Sequence, residues 1–455
     1  MKEYTEEYLE HIRRIISEDR TDDARAELES LHPADIAELY QNLDIDEAEY
    51  LYRLLDPETA ADVLMELDED ERLKLLEAMT PEKIAQQIDH LDTDDAVDLI
   101  QQLDEDDRDE ILSHIDDVEQ AGDIIDLLKY DEDTAGGLMG TEMLVANENW
   151  SMPETIKQLR LQAEDMDEIY YVYVVDDDNK LKGILPLKEL ITHPSVSKIK
   201  HVMENEPVAV KVDTPIDEVA LEIEKYDLVA IPVVDSIGRL LGRITVDDVM
   251  DEVRESSERD YQLASGLSSD VDAEDTIFKQ VKARIPWLMI GICSGIMASL
   301  ILGTFESKLQ AVAALALFIP IIGGTGGNVG VQSSAIVVQS LANGTLELKQ
   351  FSRQLGKEVL VGLLNGTIIA AVVFLYNLIM LPGDFAVTIS VAVSLFIVTM
   401  FATILGTVVP LTLERLHINP ALATGPFIQI SNDLLGLLIY VWIATFFLGV
   451  FGTQL

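Results

Sequence analysis

GPFIQISNDLLGLLIYVWIATFFLGVF, residues 425–451, is an apolar run long enough to cross a bilayer, and it carries a single charge, Asp433. From Asn419 to the end of the chain no other acidic or basic side chain occurs. A carboxylate in hydrocarbon is costly unless a cavity, a proton or a cation stabilises it. No Lys or Arg lies inside any apolar run of this chain, so an intramembrane ion pair is not the expected answer. Two roles stay open for Asp433 on this reading. It faces an ion path, or it is protonated and hydrogen-bonded in helix packing.

Working outward, four more uncharged runs have the length of a span: 285–305, 310–341, 359–381 and 385–413. Lys279, Lys282 and Arg284 precede the first; Lys349, Arg353 and Lys357 separate the second and third; Arg415 separates the fourth and fifth. Lys308 is alone on the opposite side. This bias predicts cytoplasmic N-terminal domains and, with five spans, a C-terminus outside the cell membrane. The second span contains PIIGGTGGNVGVQSS, residues 320–334. Its five glycines and proline predict a broken helix, tolerated where backbone is buried or lines a wet cavity; close packing through small residues is the other account. Asn328 and Gln332, at i and i+4, share a face. Gly291/Gly295 and Gly362/Gly366 have the GxxxG spacing of packed helices.

The rest of the chain is chemically different. The 455 residues carry a net charge of −50, but 73 acidic and 24 basic groups fall in the first 270 residues, a net of −49. That surface attracts cations and repels nucleic acid and anionic lipid. Cys293, the single cysteine, leaves no intrachain disulfide, as in a reducing cytoplasm. The opening MKEYTEEYLE is not a signal peptide.

Leu31-His32-Pro33, Leu55-Asp56-Pro57 and Met79-Thr80-Pro81 recur every 24 residues, with Leu43-Asp44, Leu67-Asp68 and Leu91-Asp92 at the half-period. Each unit reads as an N-cap followed by a short helix with an apolar stripe, such as Ala60, Val63, Leu64 and Leu67. Such helices bury their stripes only by stacking, which predicts a superhelical solenoid over 1–130. Within it Asp94, Asp95 and Asp98 form an acidic cluster that suits either a solvated face or a metal contact.

YVYVVDDDNKLKGILPLKEL (171–190) and AIPVVDSIGRLLGRITVDDV (230–249) superpose at an offset of 59, pairing Asp176 with Asp235 and Gly183 with Gly242. Two copies of strand, turn, strand and helix resemble paired cystathionine-beta-synthase (CBS) domains, here 131–199 and 200–250. The family's ribose-contacting pair falls on Thr245 and Asp248, whereas the first copy has Pro186 and Glu189. The resemblance therefore implies at most one orthodox nucleotide site, for ATP or a related adenine nucleotide, beside a structural, dimerising role. The connector that follows, 251–275, continues a helix on which Asp248, Asp251, Glu255 and Glu258 fall on one stripe. Stacked like charges weaken a helix unless cations lie between them, and hard oxygen ligands favour Mg2+ or Ca2+; a solvated linker helix is the plainer account.

An acidic helical solenoid, paired CBS modules, a connecting helix and five spans (276–455), with Gly326-Gly327-Asn328-Val329-Gly330-Val331-Gln332, Asn419-Pro420-Ala421, Gly425-Pro426-Phe427 and Asp433, resemble the MgtE family of magnesium channels. The implied fold is multidomain: an all-α superhelical N-domain, α/β tandem CBS domains and an all-α five-helix transmembrane domain. The implied assembly is a homodimer with a pore between second and fifth spans, where two Asp433 face each other. Carbonyls near Gly425 and Gln429 then hold the waters of hydrated Mg2+, and Gln429 is also at i−4 from Asp433. The implied magnesium sensors are Asp94, Asp95 and Asp98, Asp217 and Asp227, and Asp248, Asp251, Glu255 and Glu258, the last four on a gating plug helix. Many family members have Asp where this chain has Asn419. A membrane-anchored Mg2+ or nucleotide sensor without ion flux is the rival from another class, and transport of another divalent metal such as Co2+ the rival within it. No His/Cys metal cluster, nucleophile motif or Walker sequence suggests an enzyme.

Overall fold

The structure, a computed structural model, describes residues 4–450 apart from 164–165, 167–168, 195–196, 274, 307–312, 343–350 and 381–384. Lys308 and Lys349, and the expected span ends at Gln310, Leu381 and Phe451, lie outside the described residues. The chain divides into two units, Met1–Glu252 and Val253–Leu455.

Among the described residues, the first unit opens with short helices α1 Glu6–Ser17, α2 Thr21–Leu28, α3 Pro33–Tyr40, α4 Ile45–Tyr52, α5 Pro57–Glu66, α6 Glu69–Glu77, α7 Pro81–Ile88, α8 Thr93–Gln101, α9 Glu105–Leu112 and α10 Val118–Leu127. From α3 to α9 a helix begins every twelve residues. The chemistry of each start explains the period. Proline at the first helical position lacks the N–H that a helix start leaves unpaired, and Asp caps supply an acceptor for those that remain. Asp44 accepts from the Glu47 N–H at 3.0 Å while the Glu47 carboxylate accepts from the Asp44 N–H at 3.2 Å. Asp56 does the same for Thr59 at 3.1 Å. Alternate helices pack on each other, α3 on α5 on α7 on α9, α4 on α6 and α8 on α10. Ala60, Val63, Leu64 and Leu67 are all buried by this stacking, as a solenoid requires.

Two small sheets follow. The first has the order β1 (Leu144–Asn147), β2 (Val172–Val175), β3 (Leu181–Leu185) and β4 (Glu204–Asn205); the second has β5 (Val210–Lys211), β6 (Ala230–Val234) and β7 (Leu240–Thr245). In both, the first pair is parallel and the next antiparallel. The 59-residue offset holds down to the turn. Register shifts at Val174/Val175 and at Val233/Val234, Asp176 and Asp235 each accept two backbone N–H groups, and Asn179 and Gly238 take positive φ. Helices α11 (Met152–Gln162), α12 (Leu187–Thr192) and α13 (Ile216–Tyr226) complete the pair, and α14 (Val246–Ser265) crosses the division between units.

Among its described residues, the second unit holds five helices long and apolar enough to cross a membrane. They are α15 (Ile277–Thr304), α16 (Ile319–Ala342), α17 (Phe351–Met380), α18 (Phe385–Arg415) and α19 (Gly425–Val450). Helix α18 is the centre, packed on α16, α17 and α19, while α15 lies against α19 with an exposed apolar surface. Its Ser390, Ser394, Thr403 and Thr407 donate to carbonyls one turn back within the helix, so they are buried without needing a partner elsewhere.

One expectation fails here. The glycine-rich second span is one continuous helix from Ile319 to Ala342, not a broken one. Gly326, Gly327 and Gly330 face other helices: a Cβ on Gly326 would meet Val398 at 2.9 Å, and a Cβ on Gly406 would meet the Gly330 carbonyl oxygen at 2.3 Å. Close packing of backbones accounts for the composition. Of the two GxxxG pairs, Gly362 and Gly366 pack against Thr403 and Phe396 of α18 as expected, whereas a Cβ on Gly291 or Gly295 would meet nothing within 4 Å among the described residues.

Candidate functional site

The two units each gather carboxylates, in opposite ways. In the first, the N-terminus of α8 meets the loop before β1 and the start of α14. Oxygens of Asp92, Asp94 and Glu142 lie within 4.8 Å of one another. Glu142 is held there by α8 itself, accepting from the Thr93 N–H and from its hydroxyl, both at 3.1 Å. A helix N-terminus favours a negative group through its free N–H groups and dipole. Gly140 makes room, because a Cβ there would stand 2.8 Å from Asp94 Oδ2. Asp248 belongs to the same acidic field, its carboxylate accepting from the Thr245 N–H at 3.2 Å and from the Thr245 hydroxyl. Buried Arg243 counters part of the charge, its guanidinium 3.5 Å from Asp92 and bonded to the Glu142 carbonyl.

Burial, with Asp248 and Asp98 adding repulsion, pushes the Asp95 carboxyl up to about 7. Burial pushes Asp94 well above the usual carboxylate range, and Asp95 adds to it. Asp248 and Asp123 are raised for the same first reason. Converging hard oxygens that repel when ionised are a fitting set for a divalent cation such as Mg2+, whose charge offsets the repulsion.

Not every expected sensor residue is drawn in. Asp94, Asp95 and Asp248 are; Asp98 sits at the exposed edge of α8. Asp217, in the first turn of α13, and Asp227, its left-handed C-cap at φ 51°, are on the exposed surface. Asp251, Glu255 and Glu258 are exposed along α14, so the four-carboxylate stripe is split, with Asp248 turned inward. The sequence reading missed Glu142 and Arg243, which reach α8 from about 50 and 150 residues away without any spacing signal. It took Asp92 only as a helix-start marker. Thr245 and Asp248, the nucleotide candidates, are bonded to each other.

In the second unit one acid stands in a groove. Asp433 on α19 lies against α16 where that helix has no side chains: a Cβ on Gly323 would be 3.4 Å from Asp433 Oδ1, and one on Gly327 would be 3.2 Å from it and 3.2 Å from Gln429 Cγ. Asp433 is half-buried and Gln429 exposed. On the next stripe of α16, Gly324 borders open space, and Asn328 and Gln332 are exposed. Polar groups of both helices thus mark one open face. At its entry, Gly425 (φ 37°) admits the connecting helix: a Cβ there would stand 1.9 Å from the Ala264 carbonyl. Asn419 Nδ2 donates to Asp260 Oδ1 of the same connecting helix at 2.7 Å. Two buried groups here were also missed, Asn432 and Glu358, the latter within hydrogen-bond reach of Ser333.

The parts of the chain match known proteins. Residues 319–443 match the family model described as a divalent cation transporter, MgtE; residues 31–133 match the MgtE intracellular N domain; and 135–195 and 199–255 match the CBS domain. The magnesium transporter MgtE of Thermus thermophilus is 38% identical over 70% of this chain and 71% of that protein. Its namesake in Enterococcus faecalis is 33% identical over 73% of each. Among solved structures, the soluble part of a magnesium transporter aligns with a TM-score of 0.50 at 32% identity, covering 55% of this chain and 99% of that one. The cytosolic domain of the Mg2+ channel MgtE in complex with ATP aligns with a TM-score of 0.51 at 33% identity, covering 53% and 98%. A solenoid, two CBS repeats and a five-span domain, each matched in order, make this chain a member of the MgtE family of magnesium transporters.

Proposed function

We propose that this chain conducts hydrated Mg2+ into the cell past Asp433 and that Mg2+ bound to its acidic cytoplasmic elements closes the path. The observation that carries the reading is the open polar face formed by Asp433, Gln429, Asn328 and Gln332 on helices that cross a membrane. Lipid does not cover such a face cheaply, so it borders water or a second copy. In a homodimer two such faces meet, and two Asp433 carboxylates flank one aqueous path. Because Mg2+ sheds its water reluctantly, glycine backbones and an amide suit an ion recognised through its hydration shell. Entry needs no chemical energy, since a divalent ion gains about 4.6 kcal/mol at 100 mV. Transport rather than catalysis is the activity, and the −49 surface disfavours nucleic acid as a partner.

Gating follows from the charge of the first unit. At low Mg2+, Asp94, Asp95, Glu142 and Asp248 repel; bound Mg2+ supplies the countercharge. Asp98, Asp217, Asp227, Asp251, Glu255 and Glu258, exposed in one chain, join as the acidic elements compact. Switching from 99:1 open to 99:1 closed takes about 5.5 kcal/mol of differential binding. Several sites of about 1 kcal/mol each supply it together. The domain limits 1–130, 131–199, 200–250, 251–275 and 276–455, a cytoplasmic first unit and an outside C-terminus belong to this proposal. ATP at Thr245 and Asp248 is a second ligand, supported by the ATP complex of the relative; it must compete with the bond between those two side chains.

The test is Mg2+ flux into proteoliposomes at fixed membrane potential, with Ca2+, Co2+ and Mn2+ in competition. Flux that prefers Mg2+ and falls in Asp433→Ala supports the reading. No flux in wild type leaves a membrane-anchored sensor, and flux indifferent to Asp433 moves the path elsewhere.

A further inference from the structure

Asn432 is 1% exposed, and neither its Oδ1 nor its Nδ2 has a hydrogen-bond partner among the described residues. It fills a notch that only glycine provides: a Cβ on Gly330 of α16 would stand 1.9 Å from Asn432 Nδ2 and 2.8 Å from Ile428 Cγ2. Gly330 has no room to retreat, because Gly406 of α18 lies against its carbonyl from the other side. Ile428, Asn432 and Gly436 make the buried stripe of α19, and Gln429 and Asp433 the next stripe round. One residue step turns a helix by about 100°. Any rotation of α19 that draws Asn432 from its notch therefore swings the Asp433 carboxylate off Gly323 and Gly327.

We propose that Asn432, seated in the Gly330 notch, is the positioning residue that fixes where the Asp433 carboxylate stands. The inference rests on Asp433 bordering the ion path and adds the device that sets its place. Emptying the notch (Asn432→Ala) or crowding it (Gly330→Ala) shifts the carboxylate without removing it. Filling it from the other side restores the packing.

The experiment measures Mg2+ uptake by full-length protein in proteoliposomes, normalised to reconstituted dimer or monomer by size exclusion. Readouts are the half-saturating Mg2+ concentration, the maximal flux and the Mg2+/Co2+ preference. Asn432→Ala and Gly330→Ala are each expected to raise the half-saturating concentration about tenfold and lower the ion preference, with maximal flux within about twofold of wild type. The Gly330→Ala/Asn432→Ala pair is expected to return part of the way toward wild type, since the new methyl takes the space the amide vacates and only its contact with Ile428 Cγ2 remains to be relieved. Singles that lower only the maximal flux, with half-saturation and preference kept, mark a folding role and overturn the proposal. So does a double variant no better than its worse single. Asp433→Asn in parallel separates the two readings: if it leaves flux unchanged, the ion path at Asp433 fails; if it abolishes preference while the notch variants do not, only the positioning role fails.

Discussion

The acidic pocket around α8 and the glycine groove around Asp433 use the same chemical group under opposite constraints. In the pocket, Asp92, Asp94 and Glu142 converge with Asp95 and Asp248 beside them, and burial pushes protons onto Asp94, Asp95 and Asp248. In the groove, one carboxylate stands beside backbone that has no side chains. Crowded acids need a countercharge held close, which is what a sensor requires. An isolated acid with space around it attracts an ion while leaving its water in place, which is what a passage requires.

The sharpest way to break this contrast is at Asp433 itself. Asp433→Ala is expected to lower Mg2+ flux by about a hundredfold, two decades being what roughly 2.7 kcal/mol at a shared site corresponds to. Unchanged flux in proteoliposomes would remove the groove from the comparison. The next largest effect is on gating. Neutralising Asp248, Asp251, Glu255 and Glu258 together to Asn and Gln is expected to abolish the protection that Mg2+ gives against proteolysis. If protection survives intact, α14 carries no sensing ligands. Glu142→Gln, a change confined to the pocket, is expected to weaken Mg2+ protection about tenfold by removing one oxygen charge from a shared set, read as the midpoint of a Mg2+ titration.

Protons sharpen the contrast further, through the pocket alone. A carboxyl whose folded pKa is raised favours the fold while protonated. Its contribution is fully present below about 4, the unfolded value, and is lost as pH rises through about 7, where Asp95 ionises. Without Mg2+, the opening free energy at α8, from hydrogen exchange corrected for its intrinsic pH dependence, is therefore expected to fall between about pH 4 and pH 7. With Mg2+ the slope reverses, because the ion binds the ionised set and releases protons. An opening free energy at α8 indifferent to pH would mean the acids there are not buried together. The smallest effect is expected from Asp227→Asn, at an exposed left-handed position that Asn tolerates: less than about twofold in the Mg2+ midpoint. A tenfold change there would show that exposed acids matter as much as gathered ones.

Much of the molecule was legible because it repeats or is apolar throughout. Proline and aspartate at twelve-residue spacing declare helix starts, and the 59-residue offset reaches the turn aspartates and the positive-φ residues after them. Span length and the lone Asp433 read off directly, since hydrocarbon admits few other meanings. The glycine-rich span was misjudged because composition records how strained a lone helix would be and not what lies beside it. Gly330 is continuous helix because Gly406 and Asn432 supply partners for its bare backbone.

The sequence by itself determined the order of parts, the five spans, the acid in the last of them and the acidic balance of the first unit. These depend on local propensity and on solvent transfer, both properties of a short stretch. The tertiary structure decided which carboxylates meet. Glu142 and Arg243 join α8 only through the packing of distant loops, Asp248 turns inward while Asp251 stays out, and Asn432 rather than a neighbour takes the notch. Contacts of that kind depend on the distance between side chains across the fold, which residue spacing does not encode.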